Sequence, residues 1–139
     1  MKPTGVLLAH AAAGWALCAA TMGIGMAVTS LHTALIVHAV AAPLFFVAVT
    51  YVYFTRFHYT TALQTAVAFV GFVVAMDFVV VALVINRSLQ MFSSVLGTWL
   101  PFGLIFAATY LTGLAVTKRH RQVVAAHSLR RHRQPPVGR

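Results

Sequence analysis

Acidic side chains are almost missing from this chain: Asp77 is the only one, and there is no glutamate. Charged residues make up 8% of the sequence, about a third of their share in a soluble domain. Cysteine is equally scarce, because Cys18 stands alone and can form no disulfide within the chain. The sequence has no second carboxylate, no cysteine pair and no glycine-rich phosphate loop. It therefore lacks the usual parts of hydrolases, kinases and redox enzymes, and it predicts a protein that is not an enzyme.

Long apolar runs take the place of the missing charges, since 60% of the residues are hydrophobic. A membrane-spanning helix needs about 20 apolar residues, and four stretches meet this requirement. The sequence predicts an all-α integral membrane protein, an up-down bundle of four transmembrane helices with both termini on the same side. The expected spans are 5–28, 31–54, 61–85 and 99–117, and a basic, partly disordered tail follows at 118–139.

Two features near the N-terminus need interpretation. Lys2 and the apolar run after it resemble a signal peptide, but the run continues well past the length of a signal sequence, so an uncleaved first helix is expected. The break between the first two spans falls at the polar residues 29–33. Pro43 is the competing break, but it would leave pieces of unequal length, so it is interpreted as a kink within the second helix.

Basic residues are segregated to one side of the predicted bundle. Of the ten Lys and Arg residues, nine fall on the side that holds both termini, and only Arg87 lies opposite. The positive-inside rule then places both termini in the cytoplasm of a cell membrane, and a bacterial inner membrane fits best.

The tail beyond the fourth span carries most of this charge, and its basic residues next to the membrane are Lys118, Arg119, Arg121, Arg130, Arg131 and Arg133. Each basic residue near an anionic leaflet contributes about 1 kcal/mol of attraction. Contact with anionic lipids is therefore the favoured role, docking of a protein partner is the second, and nucleic acid is not expected. The histidines of the tail are too widely spaced, without carboxylates or cysteines beside them, to predict a metal site.

Asp77 lies in the middle of the third span, where an acidic side chain usually faces the interior of a bundle. Its neighbours one turn away are valines, so its partner must come from another helix. His38 of the second span lies at a depth that agrees within about 3 Å. Pro43 removes the hydrogen bond to the carbonyl of Ala39, which leaves a free acceptor beside His38. The sequence thus predicts a polar intramembrane site formed by Asp77, His38, Ala39 and Pro43.

Other polar residues lie near the ends of the spans. Arg87 and His32 are expected at the outer mouth of this site. His10 and His38 sit more than about 10 Å apart along the membrane normal, too far for one haem between two histidines. No cofactor is therefore predicted, although a dimer that paired the same histidine twice would leave a haem possible.

Four helices with one carboxylate in the membrane are similar in plan to the small multidrug resistance transporters. That family carries a glutamate in its first helix, whereas Asp77 lies in the third. The resemblance implies a small proton-linked transporter or channel that acts as a homodimer. The favoured hypothesis is different: a non-catalytic subunit or assembly factor of a membrane complex, in which Asp77 holds a helix of the partner protein.

Overall fold

The computed structural model describes residues 2–85 and 87–133, and this part of the chain is helical, with no β-strand. Helix α1 spans Pro3–Val28, α2 Leu31–Arg56, α3 Ala62–Met76 and α4 Leu100–Arg133. A π-helical segment, Asp77–Ile85, continues α3, and a second one, Val95–Trp99, leads into α4 after a short 3-10 helix at Gln90–Ser93. Four of the described helices are long and apolar enough to cross a membrane, which confirms the coarse prediction of an all-α chain with four such helices.

Local sequence signals set the helix ends. Ser30 begins α2 by accepting a hydrogen bond from the backbone N–H of Thr33 (3.2 Å). Thr61 begins α3 with a reciprocal capping box. The Thr61 hydroxyl accepts a hydrogen bond from the backbone N–H of Gln64, and the side-chain oxygen of Gln64 accepts one from the backbone N–H of Thr61. The turns after α2 and after the first π-helical segment contain His58 and Arg87, both with φ of 49°. This left-handed conformation is uncommon for residues other than glycine.

Helices α1 and α2 form an antiparallel hairpin joined by two residues. Small residues let the two backbones approach at the turn, where a Cβ on Gly25 would lie 3.0 Å from that of Ala34. Farther along, a Cβ on Gly14 would lie 2.7 Å from the Phe46 ring, which fills the space above this glycine. Near the other end, the ring of His10 meets the ring of Tyr53 edge-on.

The four helices form a square in which α1 and α4 each pack against α2 and α3. Helices α2 and α3 therefore lie on a diagonal, and their aromatic rings meet in the centre. The ring centroids of Phe46 and Phe69 are 5.7 Å apart, and those of Tyr53 and Phe69 are 6.3 Å apart. Together with Ile105 of α4, these side chains are almost fully buried.

Helix α4 continues beyond 117, where the fourth span was expected to end, and reaches Arg133 without interruption. The hydropathy of the sequence falls at Lys118, but no proline or glycine occurs between Leu114 and Arg133. Loss of apolar character ends a membrane span, whereas a helix ends only where the backbone meets a breaker or a cap.

The contact of α3 with α4 provides a test of the packing. A Cβ on Gly113 would lie 2.9 Å from the Cβ of Ala62 and 2.9 Å from Phe54 Cε2, so Gly113→Ala forces α3 away from α4. We expect this change to destabilise the protein by about 1–3 kcal/mol, measured by thermal unfolding in detergent. Gly103→Ala on the same helix is the matched control, because nothing lies within 4 Å of its new methyl group. Equal melting temperatures of the two variants would contradict this packing.

Candidate functional site

The sole acidic side chain is hydrogen-bonded to another helix. Trp15 of α1 donates from its indole Nε1 to Oδ1 of Asp77, at 2.9 Å. Both side chains are half-buried between α1 and the start of the π-helical segment. An indole N–H is only a donor, and a carboxyl oxygen accepts whether the group is ionised or protonated. The bond is therefore compatible with both charge states, and it uses one of the two carboxyl oxygens.

Asp77 stands where the hydrogen-bond pattern of the third span changes. Its backbone N–H donates to the carbonyls of both Val73 and Val74, and from this residue the helix continues in the wider π form for nine residues. π-Helical turns are rare, and those that occur are frequent at functional sites. The widening begins at the one residue of the span that has an ionisable side chain.

Residues on α1 complete the surroundings of the carboxyl group. Cys18 lies one turn after Trp15, so the two side chains share a face of the helix. Cys18 is buried. The indole body packs against the aromatic core. Trp15 thus fills apolar space with its ring and satisfies its N–H at the carboxyl group, as buried tryptophans generally do.

The other residues of the predicted site lie on α2, which is diagonal to α3. Atom Nδ1 of His38 is buried and has no hydrogen-bond partner among the described residues. Ala39 is buried beside it, and Pro43 lies inside α2, which runs through it without a break. The structure thus supplies Asp77 with a different partner, Trp15, and a contact of Asp77 with His38 and the Pro43 turn stays a prediction.

The residues expected at the outer mouth are exposed. His32 lies in the first turn of α2, and Arg87 follows the first π-helical segment. Lys118, Arg119 and Arg121 of the basic tail are exposed on α4. The side chains of Arg130, Arg131 and Arg133 lie outside the described residues, although their backbone belongs to α4.

A second polar cluster lies at the opposite end of the bundle. The hydroxyl of Tyr53 is 2.9 Å from that of Thr60, which is 2.7 Å from that of Thr65. His10 stacks edge-on against Tyr53, and its Nδ1 lies 2.8 Å from the carbonyl oxygen of Val6. These contacts connect α1, α2 and α3. Within the described ranges, no group of three His, Cys, Asp or Glu residues is arranged to hold a metal ion.

Trp15 is not among the residues predicted from the sequence for this site. A signal was present: an indole N–H within an apolar span needs an acceptor, and Asp77 is the only acidic side chain in the chain.

The chain matches no protein-family model, and comparisons with curated proteins and with solved structures give no match either.

Trp15→Phe and Asp77→Asn should differ in their effects on stability. Trp15→Phe removes the donor and leaves a half-buried carboxyl group without its partner, so we expect a loss of about 1–3 kcal/mol. Asp77→Asn keeps a carbonyl oxygen that can accept the same bond, so its loss should be smaller. Thermal unfolding in detergent measures both effects.

A double variant supplies the control for this pair. Trp15→Phe with Asp77→Leu removes both polar partners, so its loss should be smaller than the sum of the losses of Trp15→Phe alone and of Asp77→Leu alone. If the single losses add, the two side chains do not interact in the folded protein.

Proposed function

We propose that this protein is a non-catalytic subunit or assembly factor of a membrane complex, which binds a transmembrane helix of another protein. The observation that carries the proposal is the Trp15–Asp77 hydrogen bond. The one acidic side chain, the most costly group to place within a span, is bonded inside the chain to a neighbouring helix. Such a bond lies within the chain and fixes α1 against the π-helical end of the third span, so it holds in place the helix surface that a partner would contact.

The outward face of α1 supports a role in binding a partner. Small residues separated alternately by four and three positions run along the whole helix, and all of them are exposed: Ala9, Ala13, Ala16, Ala20, Gly23 and Ala27. Alternation of three and four is the heptad spacing of a left-handed helix pair. Small residues at this spacing let a second helix approach closely, which is the main source of helix association in membranes.

The contrast with α2 makes this face of α1 distinctive. Along α2, the exposed positions hold large apolar side chains suited to lipid chains, such as Val40, Leu44 and Val47. Along α1, a Cβ on Gly23 would have no neighbour within 4 Å, so the backbone itself is accessible. The partner that fits is an apolar transmembrane helix whose larger side chains fill the shallow groove over the alanines.

The proposed orientation places both termini in the cytoplasm, in a membrane such as the bacterial inner membrane. It is supported by the distribution of charge, because Lys2, Arg56 and Lys118 lie at helix ends that the up-down order brings to one side, whereas Arg87 follows the other end. The rings of His58 and His120 are 6.5 Å apart, which brings the end of α2 beside this part of α4. Reporter fusions after Arg133 and at Arg87 should report cytoplasmic and external locations, respectively; the reverse pattern would contradict the orientation.

Leucine substitutions on the small face of α1 test the proposal. A tagged protein, purified from its native membrane in mild detergent, should retain a second membrane protein. Ala16→Leu with Ala20→Leu should lower the amount retained about tenfold, equivalent to about 1.4 kcal/mol of binding free energy. Ala48→Leu is the matched control, since this alanine is also exposed but lies on α2. The Ala48→Leu variant should retain as much of the partner as the wild type does.

The rival hypothesis is a proton-linked transporter that acts as a homodimer. The purified protein and its variants distinguish this hypothesis from the proposal. The proposal would be wrong if the α1 variants retained every partner as well as the wild type does. It would also be wrong if the pure protein carried out pH-dependent flux in vesicles that Asp77→Asn abolished.

A further inference from the structure

A cleft of about 960 Å³ opens where α2 ends and α4 passes beside it. Its basic lining comes from both helices: Arg56 and His58 at the end of α2, and Lys118, Arg119 and His120 on α4. The two histidine rings are 6.5 Å apart across the cleft. The continuation of α4 past residue 117 supplies one wall, so the cleft exists only because this helix does not end with its apolar stretch.

The positive charge in this cleft has no counter-charge within the described chain. Asp77 is the sole acidic side chain of the protein and is bonded to Trp15. Among the residues that the structure describes, none forms an ion pair with Arg56, Lys118 or Arg119. Several cations held together without an anion attract a negatively charged ligand, and arginine guanidinium groups suit phosphate oxygens in particular.

The part of the cleft that faces the bundle includes apolar residues from both helices. Phe54 and Val116 lie on the side toward the bundle, together with Ala115, whereas Arg56 and Arg119 lie one turn or less farther along their helices. This change from apolar to basic follows the direction in which both helices leave their apolar spans. A soluble phosphate would use only the basic part, but an amphiphile would fill both parts.

His58 adds a strained backbone at the rim. Its φ of 49° is in the left-handed region, and its Nδ1 lies 3.3 Å from the carbonyl oxygen of Phe54. The turn directs the chain away from α2 and leaves the imidazole among the lining residues. Such strain in a residue other than glycine persists where the surroundings enforce it, and functional sites are common among these places.

We propose that this cleft is a binding site for one anionic glycerophospholipid. Arg56, Lys118 and Arg119 bind the phosphate of the headgroup, and an acyl chain lies along Val116 and Phe54. The site is distinct from the diffuse attraction of the whole tail, because it depends on residues of two helices and on the shape between them. It rests on membrane insertion of the helices and is independent of the α1 partner, so either proposal can fail alone.

Native mass spectrometry of the full chain in detergent, titrated with phosphatidylglycerol or phosphatidylcholine, tests the site. We expect one phosphatidylglycerol to bind about tenfold more tightly than phosphatidylcholine. Arg119→Gln should weaken this binding about tenfold, whereas Arg121→Gln should change it less than twofold. Arg121 is the matched control, since it is exposed on the same helix and carries the same charge but does not line the cleft. Equal losses in the two variants would mean diffuse electrostatics and would overturn the proposal.

Two further measurements separate the lipid from a soluble anion. Ala115→Trp fills the apolar part of the cleft without a change of charge, and it should abolish the preference for phosphatidylglycerol while the gel-filtration profile stays that of the wild type. Glycerol phosphate should compete only at far higher concentration than the lipid. If glycerol phosphate competed as well as the lipid, or if Ala115→Trp bound phosphatidylglycerol normally, the site would not be a lipid site.

Discussion

A carboxyl group within an apolar helix has no water to bind, so the rest of the protein must supply a partner for it. In this chain the partner is the indole of Trp15, and the bond joins helices that are distant in sequence. Asp77 is also the first π-helical residue of the third span. The acidic side chain and the change in the backbone hydrogen-bond pattern therefore occur at the same residue. The arrangement of α1 depends on this bond more than on any other polar contact, because the remaining contacts of α1 are largely apolar.

The bundle has two ends with different chemistry. At one end, hydroxyls of Tyr53, Thr60 and Thr65 form a short chain, and basic residues gather beside it on α2 and α4. Toward the other end, Arg87 is the only Lys or Arg residue of the described chain, after the π-helical segment. The proposed lipid site lies at the basic end, and the proposed partner surface is the small-residue face of α1. Different helices form these two surfaces, so the two proposals are compatible with each other.

Much of the fold follows from hydropathy alone. Expected spans at 5–28, 31–54 and 61–85 correspond to Pro3–Val28, Leu31–Arg56 and Ala62–Ile85, because the polar residues between them coincide with caps and turns. The fourth span was expected at 99–117, and α4 continues beyond it to Arg133, since hydropathy reports where the apolar stretch ends and not where the backbone stops being helical. The π-helical segments had no signal in the sequence, because most of their residues are apolar and would equally suit an α-helix.

The sequence predicted one member of the candidate site, Asp77, but not its partner Trp15. A lone acidic residue at mid-span identifies Asp77 as the group that needs a partner, and the structure gives it one. The choice of His38 depended on estimated depth and assumed that α2 and α3 were neighbours. In the bundle these helices are diagonal, and α1 lies beside α3 instead. Helix order in a four-helix square cannot be derived from spans of similar length and hydropathy, so Trp15 was not identified.

Nitrogen-15 NMR of the two indole groups in detergent tests the Trp15–Asp77 hydrogen bond. Trp99 provides an internal reference, because its Nε1 donates instead to the carbonyl oxygen of Phe92, at 2.9 Å. We expect that Asp77→Leu shifts the Trp15 indole resonance and speeds the exchange of its proton, while the Trp99 resonance stays in place. A Trp15 resonance that does not respond to Asp77→Leu would contradict the bond and, with it, the proposed role of Asp77.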